Sequence, residues 1–300
     1  MVRSIAVLFV ASTSVSSLAA QAHQLRDTPA RDVRQFIVAA RAGTERYRDQ
    51  ETAIRDGFRR VGVSFPSMGE HWVSLQRIMA NRFVAAEPSV LIYARVRAQP
   101  TLVGVAYTVL LDGRTHIPDF APARSHWHEH NGSVEEESLP LRHVADLPAQ
   151  EKEAPDAPRL AILHAWVWAD NPAGTFVTDN WRLPLVRVRV EPPRDSPSQQ
   201  SGDHRVAHAI ALGLDGGDYL SLVLRHAAPL DARESEIATR VVAKHAATLA
   251  HLISDIPRAH RLTRGDRSRL EAVWNDLFAE LRTALPQRAD AISRLSEHFR

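Results

Sequence analysis

Cysteine is absent from the 300-residue chain, so no disulfide framework, thiolate metal site, CxxCH haem attachment or lipid-modified N-terminal cysteine is available. Lysine is nearly absent too: of 37 basic residues only Lys152 and Lys244 are lysines, and the arginines are interspersed with acidic residues, as in RDVRQ and RESEIATR. With a net charge of +2 and no basic block, the composition gives no sign of a nucleic-acid partner or an anionic membrane surface. No apolar run approaches the roughly 20 residues that a membrane-spanning helix needs, so no transmembrane anchor is expected. The chain also lacks a G-x-S-x-G nucleophile elbow and a phosphate-cradling P-loop, and LDGGDY at Leu214–Tyr219 reads as a turn joining helices.

The start is MVRSIAVLFVASTSVSSLAAQAHQ: one Arg, a short apolar run from Ile5 to Ala11, then small residues to Ala20-Gln21-Ala22. That is the pattern of a secretory signal peptide over residues 1–22, and the expectation is an exported chain in the periplasm or outside the cell. Cleavage after Ala22 would leave His23 first, and cleavage after Ala19 would not.

The rest divides at EPPRDSPSQQSGD, residues 191–203, whose three prolines and lack of large apolar side chains read as a linker. Before it, residues 23–190 read as an α+β domain built on an antiparallel sheet and preceded by a helix. After it, residues 204–300 read as a small helical bundle. Helical spacing of Val33, Phe36, Ile37, Ala40, Tyr47, Ile54 and Phe58 predicts helix from Asp27 to Arg60, with a possible interruption at Gly43. FPSMGEHW is expected to cross as a loop or turn. Ser89–Ala98 and Thr101–Leu111 predict a hairpin around Gln99-Pro100, and Arg159–Asp170 a central strand covered on both faces. Asn171-Pro172-Ala173-Gly174 has type I turn preferences. Phe176–Trp181 is expected to be extended, and the alternation Val186, Arg187, Val188, Arg189, Val190 predicts a half-exposed strand. In the bundle, helices are expected over Tyr219–His226, Asp231–Ile253 and Asp266–Leu285, with a short one after Pro286. Ile237, Val241, His245, Leu249 and Leu252 make one stripe, in which His245 reads as a packed core histidine.

The chemistry-bearing residues concentrate in the first part. SHWHEHNGSVEEES places His126, His128 and His130 on alternate positions, followed by Asn131-Gly132 and Glu135. Two histidines two apart on a strand point the same way, so His128 and His130 can present imidazoles to one ion, and a turn at Asn131-Gly132 can return Glu135 as an oxygen ligand. His126 substitutes if the strand register is shifted. His71, in Met68-Gly69-Glu70-His71-Trp72, and His164, on an apolar strand face, are the candidates to complete the set. A ligand set of nitrogen and oxygen suits zinc, copper or iron. His204 and His208 are four apart on one helix face but lack the glutamate of H-E-x-x-H, which leaves two surface histidines as the simpler expectation.

His128-x-His130 with Glu135 resembles the first metal motif of the cupins, which implies ligand roles for those three residues. Pro122 stands where that family has a glycine, and Pro172-Ala173-Gly174 is not followed by the histidine of its second motif. His23 as a first residue is similar to the copper-chelating histidine brace of lytic polysaccharide monooxygenases, with a third nitrogen from His71, His128 or His164. The segments GEHW, SHWHEH, LHAWVWADNPAGTF and TDNWRLP hold five of the six tryptophans. They resemble segments of uncharacterised secreted bacterial proteins over about residues 47–190, a resemblance that implies no activity. Trp166 and Trp168 read as core, whereas Trp72, Trp127 and Trp181 are expected to wall a pocket for a small-molecule ligand. Two functions follow: an exported protein with a histidine-based metal pocket, or a non-catalytic ligand-binding or assembly module in which the same segments are structural.

Overall fold

The computed structural model describes residues 32–96, 98–111, 116–131, 159–190, 201–256 and 261–299. The leader, His23, Glu135 and most of the expected linker lie outside them, as does the side chain of His130.

The N-terminal helix is shorter than its periodicity suggests. Helix α1 (Val33–Thr44) starts at Asp32, whose carboxylate accepts from the Gln35 amide, and runs straight through Gly43. Gly43 lies where it does because a Cβ there would sit 2.0 Å from the Ala86 carbonyl oxygen, so the glycine allows close packing and causes no break. A 3-10 turn (Glu45–Arg48) follows, then a second helix α2 (Gln50–Arg55), capped by Asp49 and ended by Gly57 at φ +88°.

Residues 58–74, expected to hold the helix end and a loop, instead form a hairpin of β1 (Arg59–Phe65) and β2 (Gly69–Val73). GEHW is therefore a strand, and Gly62, which looks like a helix terminator, lies in a register irregularity of β1 between Val61 and Phe65 at φ +68°. A short helix α3 (Leu75–Ala80), begun by the Ser74 cap, leads into β3 (Val90–Val96) and β4 (Gln99–Leu111). These two form the expected hairpin, except that Gln99 and Pro100 are paired strand residues and the reversal lies just before them. A 3-10 turn at Ala121–His126 delivers β5 (His128–Asn131), and β6 (Arg159–Ala165) inserts between β4 and β5. The six strands form one antiparallel sheet, ordered β1-β2-β3-β4-β6-β5.

One face of the sheet carries Leu91, Tyr93, Tyr107 and Leu163, packed beneath Phe36 and Ala40 of α1 together with Tyr47, Phe58, Phe120 and Phe176. The other carries Val90, Ile92, Ala106 and Trp166 around Leu183. The chain is thus α+β, as its pattern predicts. β6 is an interior strand beside the edge strand β5 and ends at Ala165, short of the expected Asp170, and Ala161, Leu163 and Ala165 are fully buried on its first face.

The alternating segment after Trp181 is not a strand. Leu183–Arg187 is a short helix, α4, with Pro184 in its first turn, where a missing amide costs no hydrogen bond. The alternation is also inverted: Arg187 is 4% exposed, and Val186 is 36% exposed. Arg187 enters the interior because Asp215 awaits it there.

The helical part comprises α5 (Ser201–Asp215), α6 (Asp218–Ala227), α7 (Ala232–Ser254), α8 (Arg264–Ala284) and α9 (Ala289–His298). α5 begins inside the segment expected to be linker. Capping boxes at Asp231/Glu234 and Thr263/Asp266 start α7 and α8. Their apolar stripes meet α5, α6 and α9 in a core that includes Val223, Leu224, Leu249, Leu277, Phe278, Leu281 and Ile292, and this core also takes in Leu185 and Val190 from α4 and its end. His245 is buried in that stripe, with Nε2 2.9 Å from the Glu280 carboxylate. Among the described residues no helix is long and apolar enough to cross a membrane.

Candidate metal centre

Strand register decides which histidines share a face. Val73 pairs with Val90, Val90 with Ala106 and Ala106 with His164, while His71, two residues before Val73, pairs with Ile92 and, through it, lies in line with Gly104. His128 pairs with Ile162, two residues before His164. Since side chains alternate strictly along a strand, His71, His164 and His128 all project from the same face, the one that carries Ile92 and Trp166.

Sharing a face does not by itself bring them together. β2 and β6 are separated by β3 and β4, and three inter-strand steps on a flat sheet span roughly 14 Å. Yet the ring centroids of His71 and His164 are 5.4 Å apart, and those of His164 and His128 are also 5.4 Å apart. The sheet must curl with this face concave. Gly104 suits the inside of that curve, since a Cβ there would lie 3.3 Å from the Trp166 ring and 3.1 Å from the Ala165 carbonyl oxygen.

Each ring has a distinct setting. His71 stands edge-on to Phe65, with centroids 5.6 Å apart, and its Nδ1 is buried without a hydrogen-bond partner among the described residues. Burial, and secondarily the nearby His128, push its pKa down to about 4, so the ring is neutral at neutral pH. The Nδ1 of His164 lies 3.4 Å from the Thr178 carbonyl oxygen. Donation along that line places the proton on Nδ1 and leaves Nε2 as the acceptor nitrogen of the ring. His164 is 3% exposed.

The arrangement joins three of the five expected ligands. His130 lies on β5 at the register position opposite Leu160, two along from His128. Glu135 is outside the described residues, and so is His23 with the brace that it would start. His126 belongs to the 3-10 turn and has its ring 6.5 Å from Phe176. Among the described residues no group of three or more His, Cys, Asp or Glu is arranged to hold an ion as it stands.

The three pocket tryptophans are found in three separate places. Trp72 is on the opposite face of β2 from His71, against Tyr93, with Nε1 3.4 Å from the Glu70 carboxylate. Trp127 packs on Phe83, its buried Nε1 without a partner among the described residues. Trp181 rests against His204 and His208 of α5, at 4.7 and 4.8 Å, and His208, expected on the surface, is instead buried among Trp181, Trp274 and Phe299. Trp166 is core as expected, donating from Nε1 to the Val177 carbonyl, while Trp168 is half-buried between the guanidinium groups of Arg41 and Arg48.

Two contributors carry no signal that residue type or spacing could reveal. Thr178 acts through its backbone carbonyl, and Phe65 is an ordinary apolar residue of a strand that the sequence hides. No family model, no curated protein and no solved structure matches the chain.

Proposed function

We propose that the chain is an exported protein that binds a first-row transition-metal ion through His71, His128 and His164, with His130 or Glu135 as the further ligand. The observation that carries this reading is the placement of the His164 ring 5.4 Å from both the His71 and the His128 ring on one sheet face, with His71 Nδ1 buried and without a hydrogen-bond partner among the described residues. Imidazole nitrogens ~2.1 Å from a shared tetrahedral ion put ring centroids roughly 5 Å apart. The His71–His164 and His164–His128 spacings of 5.4 Å are of that order. A neutral His71 is in the state that a metal requires. Three nitrogens suit zinc, copper or iron; His130 or Glu135 as a fourth ligand closes a tetrahedral site, and where neither binds that position takes a water, which such an ion makes more acidic. The export component rests on the leader sequence.

The competing function is a non-catalytic module whose histidines fill the curled sheet, favoured by the absence, among the described residues, of a group already arranged to hold an ion. Plasma mass spectrometry of the metal content of chain purified without chelators separates the two. About one equivalent in the wild type, lost in His71→Ala and in His164→Ala, is the outcome expected of a three-nitrogen site. No metal in the wild type after incubation with zinc, copper(II) and iron(II) would overturn the metal reading.

A further inference from the structure

The helical bundle touches the histidine face along two lines, and each ends on a different imidazole. The first runs through the segment Thr175–Arg182. Its early part is fastened to the sheet: the Trp166 amide donates to the Thr175 carbonyl at 2.8 Å, and the Trp166 indole donates to the Val177 carbonyl at 2.7 Å. Asn171 Nδ2 donates to the Asp179 carbonyl at 2.9 Å, and the Asn180 amide donates to Ser67 at 2.9 Å. Thr178, at the centre of this strap, presents its carbonyl to His164 Nδ1. The strap then ends on Trp181, whose ring lies against His204 and His208, successive residues of one α5 face. His208 is itself fixed by Phe299 at 4.4 Å and Trp274 at 5.6 Å, from the far side of the bundle.

The second line runs through Phe65. Its ring meets Tyr219 of α6 edge-on at 5.9 Å and His71 edge-on at 5.6 Å. Trp181, which touches the bundle, is thus three residues along the strap from Thr178, which faces His164, and Phe65 lies between Tyr219 and His71.

From these contacts we infer that the bundle orients the histidine centre, with Trp181 and Phe65 as positioning residues. This inference rests on the proposed metal site for its functional meaning, but its structural content holds for the metal-free chain. A bond of 3.4 Å is near the end of the useful range, so retreat of the strap by a few tenths of an ångström abolishes it. The ring of His164 then loses the contact that places its proton on Nδ1. Partners of this kind, behind a metal-bound imidazole, change affinity by roughly 10- to 100-fold when removed.

Two readouts on the same variants test this. Long-range 15N–1H correlation spectra of metal-free chain report which nitrogen of each imidazole is protonated, and cobalt(II) titration followed by its visible absorption reports affinity. In the wild type His164 should be the Nδ1–H tautomer. Trp181→Ala should give a mixture of tautomers and weaken cobalt binding about 10-fold, with Trp181→Phe restoring most of both. Should Trp181→Ala fail to fold, His204→Ala removes one of the two supporting rings and should shift both readouts in the same direction. Leu249→Ala opens a cavity in the bundle core from α7, which supplies none of the ring contacts to Trp181, and should leave the His164 tautomer as in the wild type. A folded Trp181→Ala chain with the wild-type His164 tautomer and cobalt affinity overturns the inference, as does an equal tautomer change in Leu249→Ala. A wild type that takes up no cobalt, with a tautomer change in Trp181→Ala, overturns the metal site and leaves the positioning intact.

Discussion

Burial among aromatic rings, reinforced by His204 and His298 nearby, pushes the pKa of His208 down to about 3. An imidazole in the unfolded chain takes a proton near pH 6.5. Between those values the unfolded state holds a proton that the native state refuses, so stability is complete above about pH 6.5 and falls as the pH drops towards 3. The slope from this one residue is about 1.4 kcal/mol per pH unit. His71 adds a second such component that ends at about pH 4. His208→Phe keeps an aromatic ring in the same box and cannot be protonated. Urea unfolding at pH 7, 6, 5 and 4 should therefore show a shallower loss of stability for His208→Phe by about one proton's slope. Parallel curves for the two proteins would show that His208 takes up its proton over the same pH range in the native state as in the unfolded one.

At the scale of elements, the hairpin β1–β2 is both the part that presents His71 and the part that the sequence conceals. Gly69 opens β2 at φ +75°, and a Cβ there would lie 2.5 Å from the Tyr93 carbonyl oxygen. Gly216, between α5 and α6, has φ +74° and open space around it. Gly216→Ala should thus cost only the backbone strain of a left-handed residue, about 1 kcal/mol, whereas Gly69→Ala adds displacement of the β3 backbone and should cost roughly 3 kcal/mol. Chemical denaturation of both variants checks the ordering, and equal losses would mean that the β2–β3 approach is looser than 2.5 Å implies. Glycine also bears on what could be read in advance. Helices α6 to α9 and the β3–β4 hairpin follow from local periodicity and were legible to within a few residues. The periodicity carries the expected helix through Gly57 to Arg60, with Gly62 as its terminator, although the helix ends at Gly57, so the start of β1 was absorbed into its neighbour. The V-R-V-R-V alternation failed for a different reason. Arg187 is drawn inside by Asp215, 28 residues further on, and no local pattern records a partner at that distance. His71, His128 and His164 could be named from strand position and residue type, but their meeting depends on the curl of the sheet across two intervening strands. Trp72, Trp127 and Trp181 share a composition and not a location.

For the whole molecule, Arg187 is the residue through which sheet and bundle depend on one another. Its Nε donates to the Arg95 carbonyl at the end of β3, at 3.2 Å, and its two terminal nitrogens grip the Asp215 carboxylate at the end of α5, one of them at 2.7 Å. Ser64 of β1 donates to the same carboxylate at 3.3 Å. The arginine side chain is 3% exposed and the aspartate 16%, so removal of one partner leaves the other buried without its counter-charge. Such losses run to about 3–5 kcal/mol, while removal of both partners is far milder. Arg187→Met and Asp215→Leu should each destabilise by that order, and the double variant should recover most of the loss. The shared contact also predicts how the chain unfolds. With Leu185 and Val190 buried in the helical core and Phe65 against Tyr219, the wild type should unfold in one transition, with tryptophan fluorescence and far-ultraviolet circular dichroism superimposed. In Arg187→Met the sheet tryptophans and the helical signal should separate into two transitions, because the bundle keeps its own core when its hold on β3 is lost. Superimposed curves in that variant would place the coupling in the apolar contacts of α4 and Phe65, and would make Leu185→Ala the substitution that divides the molecule.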